Sequence, residues 1–142
     1  MSKIVSKRTA LKLWKAAFGD ALWAQDCFGA WMYREDYGKR GKLRDNRPGN
    51  FGRFYSYGWV VDLILPADMF QGKAGALFWN NLEPMHYVNA KAKGDRTRFV
   101  IGNKKYLVVK CSICAAKDQV GYGIRDTSTL RRVDWKSRKG RK

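Results

Sequence analysis

The charge imbalance of this chain limits its folding more than any other feature. Lys and Arg number 29 against 12 Asp and Glu in 142 residues, a formal net charge of +17. A compact state has to spread those cations over its surface, because like charges repel and a buried unpaired charge is costly. What can drive collapse is the aromatic content, six Trp, seven Tyr and seven Phe within a hydrophobic fraction of 45%. A disordered basic segment would not carry that load. The length suits a single domain, expected over residues 1–130 with a basic tail over 131–142. No apolar run approaches the roughly 18–20 residues of a bilayer span, so no membrane partner is expected. Three Cys, an odd number, cannot build an all-disulfide framework. Reduced thiols in an intracellular compartment are the expectation, cytoplasmic or in an organellar matrix such as the mitochondrial one.

So large a surplus calls for a polyanion, and nucleic acid is the favoured partner over an acidic protein or a merely solvated surface. Three segments concentrate the charge. Residues 39–53 carry Lys39, Arg40, Lys42, Arg44, Arg47 and Arg53 among Gly, Asn and Pro, with Asp45 the one acid. They read as a loop able to lie along a phosphate backbone. Lys91, Lys93, Arg96 and Arg98 form the second cluster, of which Lys91, Lys93 and Arg96 are taken as phosphate ligands. The third is the tail, with Arg131, Arg132, Lys136, Arg138, Lys139, Arg141 and Lys142. Phe51, Phe54 and Tyr55 lie among the cations of the first segment. They either stack on unpaired bases or pack the loop back onto the domain.

The coarse elements are mixed. Leu11, Trp14 and Phe18 share one helical face at spacings of three and four, which predicts a helix opened at Thr9 and closed by Gly19. An acid-free, Ser-containing start also fits a transit peptide, the less favoured reading. Short aromatic segments at 21–27 and 30–33, split by Phe28-Gly29, predict a hairpin, and 34–38 a turn. A buried strand is expected over Tyr57–Pro66, a loop over 68–77 and a helix over 80–93 ended by Gly94-Asp95. A second hairpin joins 98–101 to 106–111 through Gly102-Asn103-Lys104, and a last strand spans 121–125. Trp59 and Trp79 are expected in the core.

Strand, loop and helix in the order Gly-Trp-Val-Val-Asp-Leu-Ile-Leu-Pro (58–66) and Asn-Leu-Glu-Pro-Met-His-Tyr-Val-Asn-Ala-Lys-Ala-Lys-Gly-Asp (81–95) resemble the ββα-metal core of the HNH endonucleases. Leu13-Trp14 to Phe18-Gly19, Asp26-Cys-Phe-Gly-Ala-Trp31, Tyr37-Gly38, Phe99–Tyr106 and Tyr122-Gly-Ile are similar to the flanks of one bacterial HNH subgroup. The resemblance implies an α+β fold: a small HNH-like core with an N-terminal helix, a C-terminal β-hairpin, and a basic insertion at 39–56. In that family a strand Asp-His pair supplies a metal ligand and the general base, an asparagine orients the base, and a helix residue completes the metal site. On this chain Asp62 matches the first ligand and Asn81 the orienting residue. Leu63 stands at the general base and Ala90 at the second ligand, and neither can do that chemistry.

The resemblance therefore implies a degenerate nuclease that holds nucleic acid without cutting it. RNA is slightly favoured over DNA, in a ribonucleoprotein such as a ribosome and beside its other proteins. The alternative is an active endonuclease cleaving DNA with Mg²⁺. A third reading is an adaptor for acidic protein. Cys27, His86 and the pair Cys111–Cys114 make up a Cys3His set that can bind structural zinc, against the favoured reading of buried thiols and a hydrogen-bonded histidine.

Overall fold

A computed structural model describes residues 5–41, 43–44, 54–69, 81–116 and 119–135, with 43–44, 54–55, 111–116 and 119–120 described by their backbone. Helix α1 (Lys7–Phe18) begins earlier than Thr9. The cap is Ser6, whose Oγ accepts the Thr9 N–H at 3.2 Å and satisfies a donor that the helix leaves open. Gly19 closes it as expected, its N–H donating to the Lys15 carbonyl. The apolar stripe faces inward, with Ala10, Leu13 and Trp14 fully buried.

Strands β1 (Trp23–Gln25) and β2 (Trp31–Tyr33) form the first expected hairpin, with Trp23 opposite Tyr33 and Gln25 opposite Trp31. A 3-10 turn at Arg34–Asp36 comes next. The basic run does not leave the fold as a plain loop: β3 (Leu43–Arg44) pairs with β4 (Phe54–Tyr55), a two-residue ladder that gives the neck's backbone groups partners. Phe51 and the side chains of Phe54 and Tyr55 lie outside the described residues.

Strand β5 is shorter than expected, Trp59–Leu63, and pairs antiparallel with β6 (Leu82–His86) from Trp59↔His86 to Leu63↔Leu82. This overturns half of the helix expected over 80–93, which survives as α2 (Tyr87–Lys93). Leu82, Glu83 and Met85 are good helix formers, yet every β6 residue is buried, and pairing with β5 outweighs a preference of a few tenths of a kcal/mol each. A second 3-10 turn, Ala67–Met69, lies beyond β5.

Strands β7 (Arg98–Ile101), β8 (Lys104–Ala116) and β9 (Gln119–Asp126) form an antiparallel sheet in the order β7-β8-β9. The second expected hairpin and the last strand are both present, β8 and β9 each longer than its sequence signal. Helices with antiparallel sheets make this an α+β fold. Among the described residues no helix is long and apolar enough to cross a membrane.

The β5–β6 hairpin lies between two apolar clusters, and strand alternation is the reason. Trp59 and Val61 face Leu13, Trp14, Met32, Tyr37 and Trp135. Val60, with Met85 from β6, faces Ile64, Ala90, Phe99, Tyr106 and Ile124. Trp59 is fully buried, its ring 4.9 Å from Trp14 and 4.8 Å from Tyr37; Trp79 lies outside the described residues. Gly58 lets the neck of the basic run come in close, because a Cβ there would sit 1.8 Å from the Lys39 carbonyl oxygen.

The tail starts later than residue 131. Arg132 bridges to Arg125, and the buried Trp135 donates its backbone N–H to both Glu83 carboxylate oxygens at 3.0 and 3.1 Å. Its indole N–H reaches the Leu82 carbonyl at 2.9 Å. Arg132 is held by an ion pair with the buried Asp134. The alternating apolar and charged residues 132–135 dock on β6 and β9, so no tail can begin before residue 136.

Candidate functional site

Antiparallel β5 and β6, running directly into α2, set two buried carboxylates opposite each other, Asp62 and Glu83, and Glu83 is taken by the Trp135 N–H. Asp62 projects from β5 toward α2, where Lys93 is fully buried. The Lys93 ammonium lies 3.1 Å from Asp62 Oδ2 and donates to the Leu63 carbonyl at 2.9 Å. It also stands 5.7 Å from the centre of the Phe99 ring, a cation–π distance. The approach to Oδ2 is not aligned for a hydrogen bond, so that oxygen is buried with an ion-pair contact only. Burial pushes the Asp62 carboxyl up to about 6; the nearby ammonium opposes the shift and Asp95 adds to it.

Lys93 was expected on phosphate, and the structure corrects that. Its side chain is spent inside the fold, neutralising Asp62. Leu63, which the resemblance sets at the general base, packs on the cluster around Trp59 and Val61, while Ala90 is buried with Phe99 and Ile124. Asn81 clamps the backbone beyond β5: its Oδ1 accepts the Leu65 N–H at 2.8 Å and its Nδ2 donates to the Leu65 carbonyl at 3.0 Å. Asp62 thus already has a cation, and neither neighbouring position offers a ligand. No group of three or more His, Cys, Asp or Glu that can hold a metal ion occurs among the described residues. The residues around Asp62 do not fit a divalent-metal centre.

His86 sits where β6 becomes α2, and its ring caps the helix. Nδ1 accepts the Val88 N–H at 3.1 Å, and Nε2 lies 2.7 Å from the Ser56 carbonyl. A carbonyl only accepts, so these partners assign the proton to Nε2 and leave neither nitrogen for a metal or for general base work. Of the Cys3His set, Cys27 is half-buried beside Phe28, and the side chains of Cys111 and Cys114 lie outside the described residues.

Asp26 holds this unit to the first hairpin. Its Oδ1 accepts the Phe28 and Ala30 N–H groups at 3.0 and 2.9 Å. Its Oδ2 accepts the His86 N–H at 3.1 Å and Asn89 Nδ2 at 2.9 Å. Asn89, next to Ala90, is thereby committed to Asp26.

The cations fall into several groups. Lys39, Arg40, Lys91, Arg96 and Arg131 are exposed, although Lys39 also lies 3.4 Å from Asp36. Arg40 and Lys91 flank a cavity of about 390 Å³ floored by Val60, Tyr87 and Ala90, directly over the ββα unit. Arg132 is half-buried and paired with Asp134. Lys42, Arg47, Arg53, Lys136, Arg138, Lys139, Arg141, Lys142 and the Arg44 side chain lie outside the described residues.

Sequence reasoning passed over Lys105 and Arg125, and gave Arg98 no role. Strand alternation was the available signal: Arg98 and Val100 on β7, with Lys105 and Leu107 on β8, alternate with the buried Phe99 and Tyr106. Comparison with protein-family models, with curated proteins and with solved structures returns no match.

Proposed function

We propose that this chain is a nucleic-acid-binding protein built on a catalytically silent HNH-like ββα unit. We favour RNA over DNA as its ligand, and a structural role in a ribonucleoprotein such as a ribosome, in the cytoplasm or an organellar matrix. One observation carries the reading: the carboxylate that the resemblance makes a metal ligand is paired with a buried ammonium, Asp62 with Lys93 at 3.1 Å. The chain's excess of 17 positive charges supplies the affinity for a polyanion, largely independent of sequence.

The endonuclease alternative draws on one feature, the buried Asp62 Oδ2 that lacks a hydrogen bond. The test is a binding series with RNA and DNA over a range of salt, beside a cleavage assay with Mg²⁺ and Mn²⁺. Holding predicts affinity that falls linearly on log–log axes as salt rises, with no cleavage. Metal-dependent cutting abolished by Asp62→Ala would establish the nuclease instead. Binding that is indifferent to salt would remove the polyanion reading altogether.

A further inference from the structure

The outer face of the β7-β8-β9 sheet carries a second, more strongly charged concavity. The inner face of these strands is closed: Phe99, Tyr106 and Ile124 are buried, and Phe28 packs edge-on against Tyr106 at 4.7 Å. Alternation sends the neighbouring side chains to the opposite side, where Arg96, Arg98, Val100, Lys105, Leu107 and Thr127 line a cavity of about 430 Å³ to which Phe99 and Tyr106 also contribute. Its lining holds three cations and no acid. Arg98, Leu107 and Arg125 form one row across the sheet by register, and the Arg125 Nε is buried with no hydrogen-bond partner. Val100 is half exposed, which leaves an apolar surface open between charged neighbours.

Clustered cations beside an open apolar floor suit a ligand with both an anionic and an apolar part. The volume is at the small end for ligand cavities, enough for one nucleotide unit and too confined for a duplex, whose bases are stacked inside and whose surface is convex. We propose that this face binds single-stranded nucleic acid. One unstacked nucleotide occupies the cavity, its phosphates on Arg98 and Lys105 with Arg96 at the rim, and its base against Val100 and Leu107. The proposal rests on the nucleic-acid reading above and adds to it a place and a strandedness.

The test compares the full chain with Arg98→Glu/Lys105→Glu and with Lys7→Glu/Lys12→Glu, which changes the net charge equally at exposed positions of α1, a helix that packs on the cluster around Trp59 and not on the one around Phe99 and Tyr106. Each protein is titrated with a labelled oligouridylate, with a duplex of the same length, and with uridine monophosphate as competitor, over a salt series. The substituted side chains reach solvent, so thermal melts should coincide; Arg98→Gln/Lys105→Gln serves if the charge reversal unfolds the sheet. Loss of two charge-assisted phosphate contacts should weaken oligouridylate binding by about 100-fold. It should also lower the salt slope by about 1.4, at about 0.7 per single-strand contact. The α1 control should lose only a few-fold, and Arg98→Lys/Lys105→Arg should stay close to the parent.

Equal losses in the two charge-reversed proteins would overturn the site while leaving nucleic-acid binding in place. Duplex bound as well as the single strand, or monophosphate competing as well as the oligomer, would overturn the strandedness or the polymeric ligand. A parent that binds none of these nucleic acids would sink both this site and the reading it rests on.

Discussion

Asp26 is the residue whose loss should be felt most widely, because one carboxylate serves four donors from two parts of the fold. Two donors, the Phe28 and Ala30 N–H groups, shape the turn of the first hairpin. The other two, the His86 N–H and Asn89 Nδ2, belong to the junction between β6 and α2. In Asp26→Ala the turn donors are partly relieved by water, at about 0.5–1 kcal/mol each. The junction donors, one of them buried, should cost about 1–2 kcal/mol each, so the sum is about 3–6 kcal/mol. That is a large share of the roughly 5–15 kcal/mol available to a domain of this kind, and should lower Tm by about 10–20 °C.

Asp26→Asn is the sharper variant, since it keeps shape and volume while turning one acceptor into a donor. If Oδ1 stays on the turn, the new NH2 group faces the His86 N–H and the Asn89 amide, and most of the penalty should persist. Urea denaturation of both variants, with Asn89→Ala and the double mutant, measures the pair term directly. An Asp26→Asn cost below about 1 kcal/mol, or additive single and double mutants, would refute this account of the junction.

The geometry sets three further outcomes. Asp62 sits at about 6 in the fold against an ordinary 3.8, so folding favours protonation relative to the unfolded chain, while the carboxylate paired with Lys93 still predominates at pH 7. The stability it lends is full below about pH 4 and lost as pH rises through 6, so the parent should lose up to about 3 kcal/mol relative to Asp62→Asn between pH 4 and 7; a flat difference would mean that Asp62 ionises freely. Gly58→Ala forces backbone apart at the Lys39 carbonyl and should cost about 3 kcal/mol or more by urea denaturation. Trp59→Ala should cost about 3–5 kcal/mol in the same assay, and a near-neutral result would place the ring outside the core.

What the sequence determined by itself is what neighbours along the chain decide. The three-and-four spacing of Leu11, Trp14 and Phe18 makes α1, Phe28-Gly29 and Gly102-Asn103 turn two hairpins, and alternation gives β5 its two faces. Charge composition makes a polyanion the expected partner, and the leucine and alanine at 63 and 90 can neither take up a proton nor ligate a metal wherever they lie. Tertiary structure decided the rest, where a distant partner outweighs local preference. Residues 82–86 carry helix formers but pair with β5, because a strand between two apolar clusters buries every one of them. Lys93 looks like one cation among several on a basic helix, yet it is buried because Asp62 projects from β5 and an acid there needs a counter-charge. Asp134 and Trp135 read as tail until Glu83 supplies an acceptor from across the fold. Arg125 joins Arg98 and Lys105 on one face of the sheet only through the pairing of β9 with β8, which sets residues well separated in sequence side by side.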